Sequence, residues 1–190
     1  MAKKISIAID AMGGDNSPDK VINAVNFFLK KNLNRDYIIK LFGNEKKILN
    51  KLNEYKIKSD LIKVIHAESV VSDEETPLTA IKNSKNTSMW KCIKSQIESD
   101  SDISLSAGNT GVLLVVSRMI LKMKDKVSKP ALAGLWPSID DLNVVLDLGA
   151  NIECNDKNLI DFAFMGSSLF NSLYPNEEAK VALLNIGSEE

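Results

Sequence analysis

Short apolar runs of strand length, each passing through a turn of small residues into a helical pattern, recur along the whole chain. This alternation narrows the possible folds more than any other feature. Apolar runs predict strands at 4–9, 37–42, 61–65, 103–106, 131–135, 144–148 and 180–185. Apolar residues at three-and-four spacing predict helices between them, the best over 18–31, a split pair over 77–98, then 110–122 and 157–173. Strands and helices in this order build βαβ units whose crossovers cover both faces of a mainly parallel sheet. The expected fold is therefore α/β, a three-layer αβα arrangement in a single domain over residues 1–190. A chain of 190 residues with 44% hydrophobic content can bury one sizeable core. The last expected strand, "KVALLNIG", is followed only by Ser188, Glu189 and Glu190, where another strand-to-helix turn should open. The sheet is accordingly expected to be incomplete at its C-terminal end.

Charge removes several function classes. With 24 Lys+Arg against 25 Asp+Glu the formal net charge is -1, so no strong field draws in nucleic acid or an anionic surface. An anion must be captured locally. Cys92 and Cys154 are too few for a disulfide framework or a metal cluster, which favours a reducing compartment and a cytoplasmic location. "MAKKISIAI" runs directly into a strand without the apolar core of a signal peptide, and no run is long enough to span a bilayer.

The loops carry the chemistry. In an open parallel sheet a ligand sits beyond the carboxyl ends of the strands, where loops feed the next helices. "IAIDAMGGDNSP", residues 7–18, lies there: Gly13 and Gly14 permit close backbone approach, Ser17 suits an N-cap, and Pro18 suits the first helical position. A helix N-terminus of this kind attracts phosphate-like anions, although a tight turn before a capped helix is the plain alternative. "SLSAGNTGVLL" repeats the pattern at 104–114, with Gly108 and Gly111 clearing space and Ser106, Asn109 and Thr110 offering uncharged donors. "VVLDLGANIEC" gives a third loop, where Asp147 ends a strand ahead of Gly149, Ala150 and Asn151. "LLNIGSEE" gives a weaker fourth, with Asn185 and Gly187. Three such loops on one sheet edge point to a site rather than to three separate turns.

Other chemistries lack their residues. Neither the dinucleotide fingerprint nor the P-loop pattern occurs, and no metal or cofactor is expected. His66 is the only histidine and follows the third strand, outside these loops, which argues for a structural role. Cys154, three residues past Asn151, is either a nucleophile or a small hydrophobe; Cys92 reads as core.

"IDAMGGDNSP", "SAGNTG", "DLGANIEC", "FAFMGS" and "LLNIGSEE", in that order, resemble the bacterial phosphate acyltransferases of phospholipid synthesis, the PlsX family. The resemblance extends over the whole chain. It implies transfer of a long acyl group from acyl carrier protein to inorganic phosphate, giving an acyl phosphate that a membrane acyltransferase uses to acylate glycerol 3-phosphate. It also implies a fold similar to isopropylmalate dehydrogenases and phosphotransacetylases, and a homodimer loosely associated with the membrane. The residues suit that reaction. Phosphate is largely dianionic at neutral pH and a thioester releases a thiolate, so neither a strong base nor a strong acid is needed. Positioning and oxyanion donors suffice. Gly13, Gly14, Ser106, Gly108, Asn109, Thr110 and Gly111 are the candidate anion-binding residues, with Asn109 and Asn151 as oxyanion donors. Asp10, grouped with them as catalytic, and Asp15 and Asp147 either orient loop amides or hydrogen-bond a protonated phosphate.

The chain departs from the family in three places. Many members have "AMGGDHAP", where Asn16 stands here in place of the histidine. The basic segment "ALRRKKDSSM" reads "AIKNSKNTSM" at 80–89, keeping Lys82 and Lys85 either as phosphate or carrier contacts or as a solvated helix face, while Asn83 and Ser84 remove two charges. Family members continue beyond "NIGEE" with further strands, another glycine-rich segment and long helices. Two alternatives to the acyltransferase therefore stay open: a non-enzymic remnant or half of a split enzyme that binds phosphate or carrier protein, and a short-chain phosphotransacetylase-like enzyme.

Overall fold

A computed structural model describes residues 4–32, 36–72, 74–77, 79, 84–139 and 142–184. The chain divides into two compact units, Met1–Lys122 and Met123–Glu190.

The first unit holds a four-stranded parallel sheet. β1 (Ile5–Asp10) leads through a glycine loop to α1 (Asp19–Lys31), then β2 (Tyr37–Gly43), α2 (Glu45–Glu54) and β3 (Ile62–His66). A single 3-10 turn (Ser84–Asn86) precedes α3 (Ser88–Ile97), β4 (Ile103–Leu105) and α4 (Thr110–Leu121). The strand order is β3-β2-β1-β4. The chain thus winds outward from β1 in one direction and then returns to place β4 on the other side of β1. That reversal is the switch point, and it sets the loops after β1 and β4 side by side.

Register decides which side chains face which layer. Ile7 lies opposite Ile39 and Ile103, and Ile9 opposite Leu41 and Leu105, so one sheet face is an aliphatic row. Against it α1 and α2 bury Val21, Ile22, Val25, Ile48 and Leu52 in one cluster with Ile39 and Leu41. Each such side chain contributes about 1.5–3 kcal/mol when fully buried. On the opposite face Ala8 and Phe42 pack with Cys92 of α3, and α3 in turn packs on α4 through Met89, Ile93, Val112 and Val116. Helices therefore cover both faces, as a parallel sheet requires. Lys40 is buried within β2, and its ammonium reaches Asp100 at 2.5 Å as well as the Asp100 carbonyl oxygen. That pairing is what allows a lysine in the interior.

In the second unit β5 (Gly134–Pro137) pairs antiparallel with β6 (Leu142–Val145), and α5 (Asp156–Leu173) begins with a capping box between Asn155 and Asn158. The two strands fall a few residues from the expected 131–135 and 144–148. Their short connection forces the antiparallel pairing, since a parallel crossover needs a dozen or more residues. Residues 180–184, expected as a strand, are irregular, and Val181, Leu183 and Leu184 are exposed. A strand exists only with a hydrogen-bonded neighbour, and these residues have none among those described. Asn185 and Gly187 lie outside the described residues. Among those described, no helix is long and apolar enough to cross a membrane.

Candidate functional site

The sheet register sets Asp10 at the end of β1 beside the end of β4, and the two following loops meet there. Asp10 is 1% exposed. Its Oδ2 accepts a hydrogen bond from Ser106 Oγ at 2.8 Å, and its Oδ1 accepts from the Met12 amide at 3.2 Å. Ser106 Oγ in turn accepts from the Gly108 amide at 3.2 Å. A hydroxyl has one proton, so Ser106 spends it on Asp10 and links the two loops into one framework. Asp10 is thus the brace of this site, anchoring both loops from below.

The loops touch at their glycines. A Cβ built on Gly13 would stand 2.6 Å from Asp10 Oδ2 and 2.9 Å from both the Gly108 amide nitrogen and Ser106 Oγ. Only hydrogen fits there. Gly14 has φ +83, a conformation in which side chains other than hydrogen are strained. Asn16 follows with φ 57, which asparagine tolerates better than most residues. Asp15 is exposed on the outer turn. Ser17 does not cap α1 as its position suggested: its Oγ donates to the Gly13 carbonyl at 2.6 Å, and Pro18 occupies the N-cap without a side-chain bond. The hydroxyl closes the glycine turn on itself.

The second loop opens α4. Asn109 is its N-cap, accepting from the Val112 amide at 3.1 Å through Oδ1 while Nδ2 donates to the Glu75 carbonyl at 3.1 Å. The amides of Thr110 and Gly111 fall in the first turn, where no intrahelical carbonyl is available to them. The aligned peptide dipoles make that end of the helix partially positive. Sequence reading did not anticipate the neighbours of this loop: Met89 of α3 lies 3.1 Å from the Cβ position of Gly108, and Pro77 3.3 Å from that of Gly111. Met89 closes the "AIKNSKNTSM" segment, so its nearness was the available signal. Within that segment Lys85 is exposed on the 3-10 turn, while Lys82 lies outside the described residues.

The third loop is in the second unit and forms a turn of its own. Asp147 Oδ1 accepts from the amides of Leu132 at 2.8 Å and Ala150 at 3.4 Å, and Oδ2 accepts from the backbone and side-chain amides of Asn151 at 2.8 and 2.9 Å. Burial pushes this carboxyl upward, but the Leu132 amide and the Asn151 donors together hold it below its usual value of 3.8. Asn151 Nδ2 also donates to the Pro130 carbonyl at 2.8 Å, so both protons of its amide are engaged. Asp147 and Asn151 brace each other.

His66 and Cys92 belong to the scaffold. His66 Nδ1 accepts from the Glu45 amide at 3.4 Å at the start of α2. Burial, with the nearby Asp10 charge, pushes the Cys92 thiol up to about 12. It carries no thiolate at neutral pH. Cys154 is exposed and free.

A family model described as "Fatty acid synthesis protein" matches residues 5–190. Curated proteins named "Phosphate acyltransferase" align along the chain. That of Pelagibacter ubique (strain HTCC1062) is 55% identical over 190 residues, covering 100% of this chain and 56% of the relative. Those of Afipia carboxidovorans and Azorhizobium caulinodans are 37% and 35% identical over 191 residues, again with 100% of this chain and with 54% and 53% of the relatives. The chain spans about half the length of the curated relatives it matches.

Proposed function

The chain belongs to the family of fatty acid synthesis proteins, and on that premise we propose that it carries the phosphate-binding part of an acyltransferase acting on long-chain acyl-acyl carrier protein. A phosphate oxygen attacks the thioester carbonyl, the C–S bond breaks, and the carrier leaves as a thiolate with acyl phosphate as product. The dianion is nucleophilic without a base, and a thiol with a pKa of about 8.5 needs no acid to depart. What the protein must supply is alignment and donors for the developing oxyanion. The observation that carries this reading is the contact of Gly13 with the Gly108 amide beneath the N-terminus of α4, with Asp10 and Ser106 as the floor. Thr110 and Gly111 amides, Gly14 and Asp15 line the phosphate side. Asn109 orients its loop, and in the second unit Asp147 and Asn151 hold theirs.

The same proposal includes acyl carrier protein and inorganic phosphate as substrates, a homodimer, a cytoplasmic location with peripheral membrane contact, and delivery of acyl phosphate to a membrane glycerol-3-phosphate acyltransferase. A second reading is binding of phosphate or carrier protein without turnover. Acyl phosphate formation from palmitoyl-acyl carrier protein and phosphate separates them. Turnover by this chain that is lost in Gly13→Ala supports the enzyme. Phosphate binding without turnover, restored by adding the remaining part of the relative, supports the second reading, and turnover only with acetyl-coenzyme A overturns both.

A further inference from the structure

One hydrogen bond in the site joins a nucleophile to a base. Ser106 Oγ donates to Asp10 Oδ2 at 2.8 Å, and the other carboxylate oxygen is held by the Met12 amide at 3.2 Å. A hydroxyl within reach of a base that a third group orients is the arrangement from which covalent acyl transfer proceeds. Asp10 is buried, whereas Ser106 is half-buried and follows directly on the carboxyl end of β4. The flanks of the hydroxyl are bare. A Cβ built on Gly13 would stand 2.9 Å from Ser106 Oγ, and one on Gly108 3.4 Å from it. Two glycines thus keep side chains away from this oxygen. The Gly108 amide donates to Ser106 Oγ at 3.2 Å, and the first-turn amides of Thr110 and Gly111 come next in the chain. Backbone donors of this kind stabilise the charge that develops on oxygen during acyl transfer. Other serines differ. Ser104 Oγ donates to the Cys92 carbonyl at 3.0 Å, which is no base, and Ser128 Oγ donates to Asp161 at 3.1 Å in a pair exposed to water.

We propose that Asp10 and Ser106 form a nucleophile–base dyad that gives this site a second activity, the hydrolysis of activated acyl compounds through an acyl-serine when phosphate is absent. Ser106 Oγ attacks the acyl carbon of a thioester while its proton passes to Asp10 Oδ2. The Oγ–C bond forms, the C–S bond breaks, and the leaving thiolate takes the proton from Asp10. Water then attacks the ester carbonyl and gives a proton to Asp10. The C–Oγ bond breaks, that proton returns to Ser106, and a carboxylic acid is released. Water is the only co-reactant. The bond that braces the two loops is also the one that aims the hydroxyl, so scaffold and dyad use the same geometry. The choice of a thioester as donor rests on the proposed function. The dyad itself does not, because any activated acyl or phosphonyl group that reaches the hydroxyl reports on it.

The test uses an alkyl fluorophosphonate, which needs neither carrier protein nor phosphate. Attack by Ser106 Oγ forms the O–P bond, expels fluoride and leaves a stable adduct. The 190-residue chain is incubated with the probe in phosphate-free buffer, and the adduct is located by peptide mass mapping. An adduct on Ser106 is expected; no adduct, or one on Ser128 instead, overturns the dyad. This measurement needs no variant to fold. Asp10→Asn should slow labelling by about a hundredfold, the effect of losing a general base, and Ser128→Ala should label at the parent rate. An Asp10→Asn chain that melts cooperatively and labels as fast as the parent overturns the role of the base. With palmitoyl-pantetheine as donor and no phosphate, free thiol should be released by the parent and not by Ser106→Ala; equal rates overturn the hydrolytic activity. Acyl phosphate formation is assayed separately. Ser106 labelled in a chain that forms no acyl phosphate would sink the acyltransferase reading alone, and acyl phosphate formed by a chain whose Ser106 stays unlabelled would sink this one alone.

Discussion

Gly13 is the residue on which the site depends most directly, because its missing side chain is what lets the two loops touch. Gly13→Ala forces a methyl group to 2.6 Å from a buried carboxylate oxygen and 2.9 Å from an amide nitrogen, and backbone cannot yield cheaply. A cost of about 1–3 kcal/mol is expected in urea unfolding, together with loss of phosphate binding by calorimetry. Asp147 predicts a pH effect of definite sign. Its folded-state value lies below the ordinary 3.8, so its stabilisation is fully present above that value and is lost as pH falls through it toward the folded-state value. Asp147→Asn should therefore flatten the rise of stability with pH on the acid side of about 5, measured by thermal melts from pH 3 to 7. An unchanged slope would contradict the bonding seen for this loop.

At the scale of elements, α4 begins where it does because Asn109 caps it, and that also fixes the donor-rich turn. Asn109→Ala should cost about 0.5–2 kcal/mol in chemical denaturation through the lost cap. Asn109→Asp restores the cap, since aspartate caps as well as asparagine, but it turns a carboxylate oxygen toward the Glu75 carbonyl in place of the amide donor, so it should recover only part of that stability and, on the proposed function, depress acyl phosphate formation. Equal recovery of stability and turnover would make capping the whole of its role. The helices were legible from periodicity: the expected 110–122 and 157–173 are observed as Thr110–Leu121 and Asp156–Leu173. The strands of the second unit were less so. Apolar runs state that a segment is buried, but pairing partner and direction are long-range properties, and the short connection after Pro137 decided for an antiparallel pair.

For the whole molecule, near-neutral charge sets an expectation about salt. With a net charge of -1, the proposed capture of an anion would rest on loop amides at contact distance and not on a long-range field. Phosphate affinity should change by less than about threefold between roughly 0.01 and 0.15 M salt, because contacts shorter than the Debye length are weakly screened. A steep dependence would indicate that Lys85 and its neighbours supply the attraction. The sequence by itself determined the α/β class, the loops that open helices after strands, and the family, because periodicity, glycine placement and motif order are all local. It did not determine what the polar loop residues do. Ser106, Asn109 and Asn151 read as ligand donors and Asp10 as either a brace or a phosphate contact, whereas the partners they have lie in distant parts of the chain: Asp10 for Ser106, Glu75 for Asn109, Pro130 for Asn151. A hydroxyl or amide has few protons to give, and only the tertiary structure shows where each one goes.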